Sequence, residues 1–206
     1  MALQLALAPS VREEPLTSPV RAVAGVDVSI RDGQAYAAVV VLKVPALTVA
    51  DQAVVSGPIQ YPYVPGLLAF REVPLILRAL QRLREPFDVL MTDGHGRVHP
   101  RRFGLACHIG VLLDTPAIGV AKRPYIGIYS GLSPDKGAAV PLRDPGTGEV
   151  LGMAVRTRSG VQPVYVSVGH GVTLPEAVQL TLESAVRYRM PEVTRQAHLL
   201  SRRTFS

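Results

Sequence analysis

The sequence predicts an α/β fold in which one mixed sheet, an antiparallel three-strand meander followed by parallel strands, is flanked by helices. Three observations carry this. Residues 21–30 alternate between two faces, and an Asp32-Gly33 hairpin signal follows at once. From Phe87 to Lys122 come an apolar run, a Gly94-His95-Gly96 turn, a helical pattern and a second apolar run, which is the order of a parallel strand pair with its crossover. After residue 173, capping-box spacing from Thr173 to Glu176 opens a further helix.

The elements follow in order. Residues 1–19 are punctuated by prolines and read as a loosely attached lead to a single domain spanning 1–206. In the first strand Ala22, Ala24, Val26, Val28 and Ile30 share one face, so Asp27 falls on the other, in mid-strand. A strand carboxylate is disfavoured and costly to bury alone, so Asp27 is a ligand, a salt-bridged structural residue or a member of an exposed face. Residues 34–43 and 47–56 complete the meander. The stretch 57–66 (GPIQYPYVPG) is stiffened by Pro58, Pro62 and Pro65 and holds Tyr61 and Tyr63 at its tip. Such a loop serves as a wedge or stacking platform against bases, or packs back on protein. Residues 67–85 are helical in their later part. Pro74 suits an early helix position, which puts Glu72 at or just before the start, where the helix dipole welcomes a carboxylate.

The stretch 87–122 organises the rest. Asp93 ends one apolar run and Lys122 the next, so a parallel sheet places both at the carboxyl ends of neighbouring strands, where open α/β sheets bind ligands. The basic segment Arg97 to Arg102 is expected to open the helix that ends near Asp114. Strands are expected up to Val140, from Val150, over 152–158 and over 164–168. A helix follows to about Tyr188, and another from Pro191 carries Arg195 and His198.

Composition sets limits. Of 206 residues, 22 are Lys or Arg and 16 Asp or Glu, a formal charge of +6 that suits a polyanionic partner without demanding one. The single Cys107 excludes an internal disulfide and suits a reducing, cytoplasmic setting. The apolar part of the N-terminus is too short to span a bilayer, so no membrane role is expected.

Asp27, Glu72 and Asp93 come from separate elements that this topology can bring to one sheet edge. Mg²⁺ prefers oxygen ligands and keeps waters, so one or two direct carboxylates suffice to hold it for phosphodiester hydrolysis. Lys122 can orient water or screen a phosphate, and His99 can bond a phosphate oxygen or donate a proton. Cys107, His95, His108, His170 and the arginines of the last helix read as structural or solvated residues.

Six segments, GVDVS (25–29), PYVPGLLAFRE (62–72), DGHGRVHPRRFGLACHIG (93–110), IGVAK (118–122), VSVGH (166–170) and TRQAH (194–198), stand in the order found in the endonuclease V family, which the chain resembles over nearly its whole length after about residue 20. The resemblance implies a ribonuclease-H-like fold. It also implies Mg²⁺-dependent cleavage, with Mn²⁺ as a substitute, of DNA containing a deaminated base, chiefly deoxyinosine. The cut falls at the second phosphodiester bond 3′ to the lesion and leaves 3′-hydroxyl and 5′-phosphate ends. Asp27 and Asp93 match direct metal ligands, Glu72 a third acid that can act through water, and His198 a position near a second metal. Lys122 and His99 match further active-site positions. Tyr63 matches the wedge, with Pro62, Val64 and Pro65 around it; Gly66, Leu68 and Gly94 match the base pocket. Arg97, Arg101, Arg102 and Arg123 are then expected along the phosphates. A monomer acting on duplex or single-stranded DNA is expected; inosine-containing RNA stays open as a further substrate, because discrimination depends on contacts to the 2′-hydroxyl that no motif reports. The rival readings are another ribonuclease-H-like nuclease for hybrids or junctions, and a relative that binds nucleic acid without turnover. The lead before Asp27 is shorter than the family's, which implies a missing or reduced N-terminal helix.

Overall fold

The computed structural model of the chain describes residues 1–203. Eight strands form one sheet in the order β3-β2-β1-β4-β5-β8-β7-β6. The meander is β1 (Ala22–Arg31), β2 (Gln34–Lys43) and β3 (Thr48–Pro58), all antiparallel. Asp32 and Gly33 have φ of 51° and 75°, the two left-handed residues a tight hairpin needs. On the other side of β1, β4 (Val89–Thr92) and then β5 (Ala117–Ala121) add in parallel, as the sequence predicts. The sheet ends in an antiparallel part, β6 (Ala139–Arg143), β7 (Val150–Val155) and β8 (Val164–His170), with β8 beside β5.

Period-two alternation along the strands feeds two cores, one on each face. Ala22, Ala24 and Val26 join Val73 and Ile76 of α2 (Leu68–Leu80) and Leu105 and Ile109 of α3 (Leu105–Leu113). Val23 joins the opposite core with Ala177 and Leu180 of α4 (Leu174–Ser184) and Val193, Ala197 and Leu200 of α5 (Glu192–Ser201). Burying a residue such as Ile76 or Leu200 contributes about 1.5–3 kcal/mol, so each face is an independent reason for the register to hold. Gly25 sets how closely α5 approaches: a Cβ there would lie 2.4 Å from the Val193 carbonyl oxygen.

Several boundaries, and the lead, differ from expectation. Helix α2 starts at Leu68, which puts Pro74 inside the helix and Glu72 in its second turn, away from the dipole's N-terminal end. Helix α3 starts at Leu105, not in the basic segment, because Pro100, Arg102 at φ 54° and an extended Gly104 keep residues 97–104 out of helical geometry. Helix α4 keeps its Thr173–Glu176 capping box but ends at Ser184, short of Tyr188. The lead, expected to be loose, is tied down. A short helix α1 (Ala2–Leu7) buries Gln4, the Arg12 carbonyl accepts from Gly171 N–H at 2.8 Å, and Arg12 pairs with Asp114. Among the described residues, no helix is long and apolar enough to cross a membrane.

Candidate active site

Three neighbouring strands deliver the central side chains. β1 and β4 run parallel with Val26 beside Thr92, so the next residues, Asp27 and Asp93, emerge together at the same rim. β5 lies beside β4 and releases Lys122 immediately past its end. Helix α5 covers this rim from the Gly25 contact onward. The five-residue advance from Val193 to His198 rises about 7.5 Å, close to the two-residue advance of about 6.7 Å from Gly25 to Asp27. The helix and strand therefore bring His198 and Asp27 level: His198 Nδ1 lies 3.3 Å from Asp27 Oδ2.

Asp27, Asp93 and His198 each offer a ligand atom within 4.8 Å of the others. The Asp27 and Asp93 side chains retain only 13% and 15% of their exposure, so a cation between them would be partly shielded from water. Lys122 Nζ donates to Asp93 Oδ2 at 2.5 Å, the one cationic side chain paired with either acid among the described residues. The buried Ser201 hydroxyl lies 2.6 Å from Asp27 Oδ2 and 3.0 Å from the His198 carbonyl, and so orients the carboxylate from below. Arg189 donates to the carbonyls of Lys122 and Pro163 and steadies the backbone that carries the lysine.

Glu72 projects toward the same rim from α2 but stands outside the mutually close trio. Burial pushes its carboxyl up to about 8, the negative charge of Asp27 adds to this, that of Asp93 adds less, and Arg71 opposes it. A buried carboxyl whose protonated form two neighbouring carboxylates favour further lies where negative charge is concentrated. Two hard carboxylate oxygens with an adjacent imidazole, and a third acid nearby, form a donor set that fits a divalent cation.

A second cluster surrounds the base of the tyrosine loop. Tyr63 stands 65% exposed at its tip, with Pro62 and Pro65 exposed beside it and Val64 half-buried. Gly66 closes the loop at φ 78°, and its carbonyl accepts from His99 Nε2 at 3.2 Å, Arg101 Nη2 at 2.8 Å and Gln4 Nε2 at 3.0 Å. His99 Nδ1 in turn accepts from Arg101 N–H, and its ring stacks on Tyr125. Burial first, and then the charge of Arg101, lower the His99 imidazole to about 4, so it is neutral at working pH. Both ring nitrogens are thereby occupied within the protein. In this arrangement His99 braces the base of the loop. Leu68 begins α2 directly after this cluster, and Gly94 lies next to Asp93 against Leu105.

The predicted phosphate row divides. Arg123 is exposed beside Lys122, and its carbonyl faces His95 Nε2 at 2.9 Å. Arg97 pairs with Glu13 and Glu149, and Arg102 with Glu149 and Asp144, so these two guanidinium groups are engaged by carboxylates and do not stand free along a phosphate track. Arg101 is turned inward onto Gly66 and Gln4. Gln4, Tyr125, Arg189 and Ser201 are absent from the sequence reading of the site. None carries a local motif, and each meets its partner only across the fold.

Comparison with known proteins identifies the family. The family model described as Endonuclease V matches residues 5–199. The endonuclease V of Roseiflexus castenholzii is 52% identical over 183 residues, covering 89% of this chain and 82% of the relative. The crystal structure of the endonuclease V of Streptomyces avermitilis superposes with a TM-score of 0.91 at 45% identity, covering 98% of this chain and 89% of that one. A Ciona intestinalis endonuclease V, crystallised in complex with a 24mer DNA containing an inosine followed by a ribo-adenosine, gives a TM-score of 0.86 at 29% identity over 98% of this chain and 94% of that one. The chain belongs to the endonuclease V family, nucleases that act on the phosphodiester bonds of DNA.

Proposed function

We propose that the protein is a divalent-cation-dependent repair endonuclease that recognises deaminated bases, chiefly deoxyinosine, and hydrolyses the second phosphodiester bond 3′ to the lesion, leaving 3′-hydroxyl and 5′-phosphate ends. The observation that carries this reading is the convergence of Asp27, Asp93 and His198, far apart in sequence, on one sheet rim. The inosine-containing DNA held by the Ciona relative supports the substrate class. Mg²⁺ is the proposed ion, with Mn²⁺ as its substitute, and the cytoplasm the proposed setting.

Asp27 and Asp93 would hold the cation, His198 would border it, and Glu72 would join through water once a positive charge lowers its carboxyl back toward the ordinary range. When bound, such an ion lowers the pKa of a coordinated water and stabilises charge on the phosphate under attack. Lys122, exposed at the same rim and already turned to Asp93, places a positive charge where a phosphate oxygen approaches the acids. Tyr63 enters the duplex at the lesion and fills the space of the displaced base. Hypoxanthine pairs weakly, so its extrusion costs less than that of a normal base, and this difference favours the lesion. Gly66, Leu68 and Gly94 offer backbone to the extruded base, while Arg123 lies along the phosphates and makes affinity salt-dependent.

Nicking of four labelled substrates tests this: a duplex with one deoxyinosine, the matched undamaged duplex, an RNA–DNA hybrid and a four-way junction. The expected result is Mg²⁺-dependent nicking of the first alone, one nucleotide beyond the lesion's own 3′ phosphodiester. Preferential cleavage of the hybrid or junction would establish a different ribonuclease-H-like nuclease, and binding without cleavage of any substrate an inactive relative.

A further inference from the structure

We infer that Gln4 is a positioning residue for lesion recognition, whose carboxamide locks the base of the tyrosine loop; the inference rests on the function proposed above. Helix α1 docks in an unusual way. Its neighbouring side chains Leu3 and Leu5 are 50% and 59% exposed, and its one buried residue is the polar Gln4, at 1%. The helix is therefore held less by apolar burial than by the carboxamide, all of whose hydrogen-bonding groups have partners. Nε2 donates to the carbonyls of Gly66 and Phe103, each at 3.0 Å, and Oε1 accepts from Arg101 Nε at 2.7 Å.

The lock reaches Tyr63 through a single peptide plane. The Gly66 carbonyl receives Gln4, His99 and Arg101, while the N–H on the other side of that same plane, of Leu67, donates to the Val64 carbonyl at 2.9 Å. A peptide unit is rigid, so fixing its carbonyl fixes the direction of its N–H. Val64 is covalently joined to Tyr63. Three donors from α1 and the segment 99–101 thus set the orientation of a finger that is itself exposed. Gly66 suits the cradle, since a Cβ there would lie 2.6 Å from Arg101 Nη2. A buried network of this kind favours one arrangement strongly only while every member is satisfied.

The chemistry separates positioning from gluing. Gln4→Met keeps the volume and removes all three hydrogen bonds, while Gln4→Glu keeps the acceptor for Arg101 and opposes a carboxylate to two carbonyls. In an Asp93→Ala background, where strands stay intact, affinities for a deoxyinosine duplex and its undamaged match are measured beside hydrogen exchange over residues 61–67. Both Gln4 variants are expected to lose about tenfold in preference for the lesion, the size of one or two net hydrogen bonds, with undamaged-duplex affinity within about twofold of the parent. Exchange over 61–67 should quicken, and adding Tyr63→Ala should cause less further loss than Tyr63→Ala does alone. If the Glu variant does not fold, the near-isosteric Met variant gives the same readings. A parental preference that the folded variants retain, or affinities for both duplexes falling together, overturns the lock alone. A parent without lesion preference overturns the proposed function, and the lock's part in recognition with it.

Discussion

Glu72 is the residue where charge at the rim can be measured without substrate. Its carboxyl titrates near 8 in the folded protein against an ordinary 4.5, first because it is buried and then because Asp27 and Asp93 stand close. Between these pH values the folded protein keeps a proton that the unfolded chain has released, so stability from this group is full below 4.5 and lost as pH rises through 8. In the absence of divalent cation, Glu72→Gln should melt about 3–6 °C above the wild type at pH 8.5 and within about 1 °C of it at pH 5. Melting curves followed by circular dichroism across this range check it, and parallel curves for the two proteins would count against a raised Glu72 carboxyl. Most of this constellation is legible in the sequence. Asp27 stands out as a carboxylate in mid-strand, and Asp93 and Lys122 each end an apolar run. Ser201 and Gln4 are not legible, because a lone hydroxyl or amide shows its role only through partners such as Asp27, 174 positions away, or Gly66, 62 away.

Among the elements, the loop from Gly94 to Gly104 joins the two clusters. It lies flat on β5 and β8, with Gly96 N–H donating to Ser167 Oγ at 2.9 Å and Arg97 N–H to the Val168 carbonyl at 2.9 Å. A Cβ on Gly96 would sit 2.0 Å from that same Val168 carbonyl oxygen, a backbone atom that cannot turn aside. Gly96→Ala is therefore expected to destabilise the protein by about 3 kcal/mol or more, read as a lowered urea midpoint, because the loop must lift and drop both hydrogen bonds. An unchanged midpoint would mean that the loop has slack this packing does not show. The loop is also where sequence patterning misleads. The charged run Arg97 to Arg102 matches helical spacing toward Asp114, yet its arginines turn to Glu149, Asp144 and Gly66, and the helix waits until Leu105. Helix α2 errs in the other direction. Pro74 argues for a late start, but the apolar stripe of Ala69, Val73 and Ile76 against the sheet keeps the turn before it helical.

At the scale of the whole molecule, a sheet covered on both faces leaves its carboxyl rim as the place where β1, β4 and β5 release polar side chains together. The alternation of residues 21–30, the Asp-Gly hairpin and the strand–helix–strand pattern make that architecture readable in advance. The antiparallel docking of β8 beside β5 and the approach of α5 over Gly25 are not, since both depend on contacts between distant segments. The proposed function depends on one point above the rest: that Asp27 of β1 and Asp93, just past β4, would share a cation that neither would hold well alone. Titration of Mn²⁺ into the protein, with free ion followed by electron paramagnetic resonance, measures this directly in wild type, Asp27→Asn and Asp93→Asn. Saturable binding by the wild type that weakens at least about tenfold in each variant, while the variants keep the wild-type melting temperature, is the predicted result. Binding of equal strength in all three proteins would contradict a shared site.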